Sequence, residues 1–101
     1  MIQTAMTVAA VGAAVTQVAE KLPFPTELYS DMGGTFAPQL YFGSDIDAST
    51  DLPVNRAGID PEEEDATWWV DFNMGERTEI STLGADADAA DVATWITEVA
   101  R

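Results

Sequence analysis

Residues 66–83, ATWWVDFNMGERTEISTL, contain the clearest structural signal in this chain. In the first half of the stretch, large apolar side chains alternate with mostly polar ones, which is the two-residue period of a β-strand. The second half also alternates, and Met74-Gly75 lies between the two halves at the position of a turn. The stretch therefore predicts a β-hairpin with strands at 66–73 and 77–83.

A helix is predicted to follow this hairpin. Asp86, Asp88 and Asp91 crowd its first turns, where carboxylates cap free amides and complement the helix dipole, and Arg101 suits its C-terminus. The apolar positions recur with helical spacing at Val92, Trp95, Ile96 and Val99.

A second helix is predicted at 4–21, ended by Pro23 and Pro25. Its apolar stripe consists of Val8, Val11, Val15, Val18 and Leu22. Because almost no charge marks a solvated side, two interpretations stay open: a core helix, or a helix that contacts another subunit.

The middle of the chain predicts less structure. Residues 27–32 are expected to be extended, and Leu40 and Phe42 alternate with polar neighbours in a strand at 38–43. Periodicity then disappears across 44–65, where Asp, Pro, Gly, Ser and Thr accumulate, so a long acidic loop is expected there.

Together these elements predict a single α+β domain spanning 1–101, in the order α-β-β-loop-β-β-α. A small antiparallel or mixed sheet with the two helices packed on it would satisfy the pattern. Met1 to Ala19 carries no charge, but it lacks a basic leader and is interrupted by polar residues, so neither an export signal nor a membrane span is expected.

The composition argues against an enzyme. The chain has no cysteine and no histidine, which removes the commonest nucleophile, general base and transition-metal ligand. No catalytic residue, cofactor site or metal site is predicted.

Two acidic stretches are candidate chemical sites, but neither fits one well. Asp45, Asp47, Ser49 and Asp51 have the alternate spacing of a calcium loop, but Thr50 stands where that loop needs glycine and Arg56 where it needs glutamate. The run of carboxylates at 62–65 is typical of a solvated segment.

The net charge of −14 is unevenly distributed, because every acidic residue except Glu20 lies from Glu27 onward. Such a field repels nucleic acid and attracts basic partners. Three explanations remain open: adaptation to a high-salt host, mimicry of nucleic acid by an inhibitor of a DNA-binding protein, and coding bias combined with solubility.

The order of elements resembles the tail-terminator or tail-completion (neck) proteins of tailed viruses. The resemblance covers a leading helix, a short strand near Leu28-Tyr29, the segment PQLYFG at 38–43, the acidic loop, the strand TWWVDF at 67–72 and the closing helix. It implies a small α+β subunit, located in the virion or the cytoplasm, that forms rings through its sheet and first helix. The strong acidity departs from that pattern.

The expected function is therefore assembly by protein–protein contact, in a homo-oligomer and with other protein subunits, with neither nucleic acid nor membrane as a direct partner. Trp69 lies on the polar side of its strand, where tryptophan is either half-buried by a loop or exposed for a partner. The predicted contact residues are Val8, Val11, Val15, Tyr41 and Trp69.

Overall fold

The computed structural model describes residues 8–29, 39–60 and 66–100, with side chains from Ala10 onward. Two helices enclose five strands in the chain order, which confirms the predicted α+β class. The elements are α1 (Val8–Lys21), β1 (Thr26–Tyr29), β2 (Gln39–Asp47), β3 (Leu52–Gly58), β4 (Thr67–Phe72), β5 (Arg77–Gly84) and α2 (Ala89–Val99). The predicted helical residues 4–7, the carboxylate run at 62–65 and Arg101 lie outside the described residues.

The five strands form one antiparallel sheet in the order β1-β2-β3-β4-β5, so each strand pairs with its neighbour in the chain. The two helices contact each other, and both lie on the same face of this sheet. The result is a two-layer domain in which one sheet face is covered by the described helices.

The core lies between the helices and the sheet. The valine stripe of α1 and the corresponding stripe of α2 meet inward side chains from the three central strands. The buried members include Val11, Val15, Val18, Leu40, Phe42, Ala57, Trp68, Val70, Val92 and Ile96. The alternation of the 66–73 segment therefore marks its core side, as a half-buried strand requires.

The predicted loop at 44–65 is wrong for much of its length. β2 continues through Asp47, and β3 occupies Leu52–Gly58 in the middle of the sheet. Proline is tolerated in β3 because Pro53 pairs with β2 at Ile46, whereas pairing with β4 begins only at Arg56. β3 lacks large alternating side chains, so its two-residue period is hidden in the sequence.

The hairpin between β4 and β5 is confirmed. Asn73 and Met74 both adopt left-handed backbone angles, with φ of 51° and 58°, and the amide of Gly75 donates to the carbonyl of Phe72 at 3.2 Å. These two positive φ values and this hydrogen bond form a tight turn, and because Phe72 pairs with Arg77 the whole loop comprises the four residues 73–76. The amide of Met74 also donates to the carbonyl of Val54 at 3.0 Å, which fixes the turn against β3.

An irregularity in β2 begins at Gly43, where the pairing with β3 shifts. Gly43 has a φ of 108°, and its amide donates to the carbonyl of Pro25 at 2.9 Å. A Cβ at this position would lie 2.8 Å from the Asn55 side-chain nitrogen, so only glycine fits without a shift.

Among the described helices, none is long and apolar enough to cross a membrane.

Candidate functional site

The face of the sheet opposite α1 and α2, called the open face below, is the candidate site. Strand registers place Tyr41, Arg56, Asp71 and Thr78 in one row across β2 to β5. A neighbouring row runs from Gly58 through Trp69 to Ile80. Neither described helix covers these side chains, which makes the open face the candidate site.

Arg56 lies at the centre of the open face and is held on three sides. Its Nη2 lies 3.0 Å from the Asp71 carboxylate, and its Nη1 donates to the Gln39 side-chain oxygen at 3.3 Å. Its guanidinium carbon lies 5.3 Å from the centroid of the Trp69 ring, within the range of a cation–π contact. These contacts fix the arginine and neutralise its charge.

Asp71 is the acidic partner of this cluster. The Thr78 hydroxyl donates to its second oxygen at 2.7 Å. This hydrogen bond, followed by the hydrogen bond and charge of Arg56, lowers the pKa of Asp71 despite its partial burial. Asp71 is therefore a carboxylate at neutral pH, and both Arg56 and Asp71 have their partners within the protein.

Trp69 and Ile80 form an apolar cross-strand pair beside this cluster. The Trp69 ring lies over Gly58 of β3. A Cβ at position 58 would be only 3.1 Å from the ring carbon Cζ2, so the ring can lie this close because residue 58 is glycine. Trp69 is half-buried in this position, while Ile80 is 73% exposed. On β5 the next residue, Ser81, is buried instead, which is the reverse of what hydrophobicity favours.

Two hollows indent the open face on either side of the Arg56–Asp71 pair. The larger has a volume of about 430 Å³ and is bounded by Asp60, Trp69 and Ile80. The smaller has a volume of about 240 Å³ and is bounded by several apolar side chains, including Leu52, Pro53 and Met74. The ion pair borders both. The lining of the larger hollow is more polar than apolar, and the lining of the smaller is mainly apolar.

The structure separates the predicted contact residues. Val11 and Val15 are 0% exposed and fill the protein's own core, so they are not on its surface, and the side chain of Val8 lies outside the described residues. Tyr41 and Trp69 both lie half-buried on the open face, on strands that flank Arg56. The half-buried state of Trp69 was expected, although the segment beneath it is a strand and not a loop.

Sequence reasoning missed three residues of the open face: Arg56, Asp71 and Ile80. Arg56 lies in the segment mistaken for a loop, so its place opposite Asp71 could not be inferred. Ile80 was recognised as part of a strand, but nothing nearby indicated which of the two sides of β5 would face outward.

The alternate acidic spacing after Ser44 has a structural explanation. Asp47 accepts hydrogen bonds from the Ser49 amide at 3.2 Å and from the hydroxyls of Ser49 and Thr50, which closes the turn between β2 and β3. The Ser49 amide and hydroxyl bonds are the main causes that lower the pKa of Asp47. Within the described ranges, no three acidic side chains converge as they would around a metal ion.

The open face thus combines two half-buried aromatic residues, an exposed aliphatic residue and a fixed ion pair. It presents apolar surface beside an ion pair whose two members already have hydrogen-bond partners within the protein. Comparison of the chain with protein-family models, with curated proteins and with solved structures gave no match.

Proposed function

We propose that this is a non-enzymatic assembly protein that acts by protein–protein contact through the open face of its sheet. The observation that carries the proposal is the Trp69–Ile80 pair, which places apolar surface outside the helix-covered core. Tryptophan, tyrosine and arginine are the residue types enriched at the centres of interfaces. Trp69 and Arg56 line the larger hollow, and Tyr41 lines the smaller hollow beside the same ion pair.

In its most concrete form, the proposal is a ring-forming tail or neck subunit of a tailed virus, from a host that lives at high salt. It rests on the resemblance in element order, of which the leading helix, the TWWVDF strand and the closing helix are present, whereas much of the acidic loop is strand β3. Its partners would be further copies of itself and other protein subunits, in the virion or in the cytoplasm before assembly.

The charge makes this proposal dependent on salt. Each copy carries a net charge of −14, so copies repel one another in dilute buffer. Salt screens that repulsion, with a Debye length that falls from about 10 Å at 0.1 M to about 3 Å at 1 M. Self-association through an apolar face should therefore increase as salt is added.

Native mass and electron microscopy at low and high salt test the proposal. We expect the wild-type chain to form an oligomer at high salt, with a mass that is a multiple of 10.8 kDa. The Ile80→Ser variant should remain a monomer under the same conditions. Leu28→Ser is the matched control, because Leu28 is 44% exposed but pairs with Leu40 on the helix side of the sheet. A wild-type chain that stays monomeric at every salt concentration would overturn self-assembly.

An acidic inhibitor that mimics nucleic acid is the second candidate. It is favoured by the engagement of Arg56 with Asp71 and of Arg77 with Glu79, which leaves the surrounding field dominated by carboxylates. Such a protein would be a monomer or dimer that binds a purified DNA-binding protein in dilute buffer and releases it as salt rises. A complex that persists in molar salt would exclude mimicry.

A further inference from the structure

We propose that the larger hollow on the open face, beside Trp69, binds a lysine or arginine side chain from an extended, basic segment of a different protein. This inference rests on the proposed function, because it names the chemistry of a partner at the same face. It commits to a heterologous partner and not to a second copy of this chain.

The lining of the hollow suits an amphipathic cation. Ile80 and Trp69 supply apolar surface along which the aliphatic stem of a lysine or arginine can lie. Asp60 supplies an exposed carboxylate that makes no hydrogen bond or ion pair with any other described residue. The aliphatic stem of the bound side chain would lie on Trp69 and Ile80, and its charged group would pair with the Asp60 carboxylate.

The ring of Trp69 already attracts a cation within the protein. Its position over Gly58 is fixed by the close approach of the β3 backbone, and the guanidinium of Arg56 lies 5.3 Å from its centroid. Because Asp71 neutralises Arg56, that arginine does not oppose an incoming positive charge strongly. A second cation near the indole would gain a similar contact.

Charge complementarity selects the partner. Eighteen acidic residues against four basic ones steer a basic segment toward the chain and keep acidic molecules away. A second copy carries the same excess, and two of its four basic residues, Arg56 and Arg77, are held in ion pairs. A basic segment of another subunit therefore fits the hollow better than this chain fits itself.

Calorimetric titration with a six-residue peptide of alternating leucine and arginine tests the inference. A peptide of alternating serine and arginine has the same charge without the apolar part, and we expect it to bind at least several-fold more weakly. Asp60→Asn should weaken the leucine–arginine peptide about threefold to tenfold, the range of a partly desolvated ion pair. Ile80→Ser should also weaken it.

Glu20→Gln is the matched control. Glu20 is exposed on α1, on the other side of the sheet, so its loss changes the net charge equally and should alter binding less than twofold. Equal weakening by Asp60→Asn and Glu20→Gln would overturn the inference, because it would show attraction by overall charge alone. Equal affinity for the two peptides would overturn it as well.

The two proposals can fail separately. If Ile80→Ser abolishes assembly but the wild type binds no peptide, the open face is still supported as an interface and the proposal of a basic segment is wrong. Peptide binding by a chain that never self-associates would retain the basic segment and reject the ring. Binding of the peptide to the monomer but not to the assembled wild type would show that a second copy fills the hollow, which contradicts the committed occupant.

Discussion

The two faces of the sheet differ in what their side chains accomplish, and Tyr41 and Phe42 show the difference in adjacent positions. Phe42 is 1% exposed, and its ring is tilted against that of Phe24 and meets that of Phe72 edge-on. Tyr41 points to the open face, where its ring meets Tyr29 edge-on at 6.2 Å. The buried aromatic contacts thus lie on one face of the sheet, and the partly exposed pair of tyrosines lies on the other.

The largest expected effect comes from truncating this adjacent pair in turn. Phe42→Ala should lower the free energy of unfolding by about 3–5 kcal/mol, because it leaves a cavity beside the Phe24 and Phe72 rings in the core. Tyr41→Ala should cost only about 1 kcal/mol, since it removes one edge-on ring contact. Urea unfolding measures both, and similar losses would show that the open face is as structural as the core.

The irregularity at Gly43 limits how far the two-face pattern extends along β2. Gly43→Ala should destabilise the protein by about 2–3 kcal/mol, because it forces a side chain into a left-handed backbone and against Asn55. Gly75→Ala is the control, since Gly75 has a similar φ of 100° but open space around it, and should cost about 1 kcal/mol less. Equal losses would show that the contact with Asn55 has no effect.

The polar centre of the open face can be loosened without touching the core. Thr78→Val removes the main cause of the lowered pKa of Asp71, so this pKa should rise toward its ordinary value. Thr82→Val is the control on the same side of β5, because Thr82 makes no side-chain hydrogen bond to another described residue. Carboxyl chemical shifts recorded during a pH titration measure the change, and an unmoved pKa would contradict it.

The same variant predicts a pH dependence of stability. A carboxyl group whose pKa is lower in the folded state stabilises the protein above its unfolded pKa and loses that contribution as pH falls through the folded value. The free energy of unfolding of the wild type should therefore exceed that of Thr78→Val by about 1 kcal/mol at pH 6. The difference should shrink as pH falls through the folded-state pKa of Asp71, which lies below the ordinary value for an aspartate.

The smallest expected effect concerns the turn that joins the two hairpin strands. Met74→Gly should raise stability by about 0.5 kcal/mol, because glycine relieves the left-handed strain of about 1 kcal/mol and loses part of the gain to chain entropy. Met74→Ala keeps the strain and should bring no gain. Thermal unfolding resolves the difference, and a lower melting temperature for Met74→Gly would mean that its contacts in the smaller hollow matter more.

The sequence was sufficient for the elements that bury large side chains at regular intervals. The alternation of Trp68, Val70 and Phe72 predicted β4, and the stripes of both helices predicted α1 and α2. β3 was missed because Ala57 and Gly58 take positions where larger residues would reveal a period. Pairing with both neighbours holds these residues in a strand, and such long-range pairing leaves little local trace.

The candidate site was only partly predictable for a related reason. The sequence indicates Trp69 as a candidate contact residue because it is a large apolar residue among the polar positions of its strand, and the structure places it on the open face. The uncharged side of α1 was a weaker indicator, because its exposed positions carry small or neutral residues such as Ala13, Thr16 and Gln17. An absence of charge does not by itself mark an interface, whereas a bulky apolar residue facing outward is informative.

Arg77 has a consequence for how the domain moves. Its guanidinium carbon lies 4.1 Å from the centre of the Phe72 ring, and its Nη2 donates at 3.0 Å to the carbonyl of Val99, at the end of α2. Carbonyls in the last turn of a helix have no partner within that helix, so this bond ties the terminus of α2 to the tip of the hairpin. We therefore expect fraying of the helix end and opening of the adjacent end of the hairpin to be coupled, which hydrogen exchange of the amide protons in both places would measure.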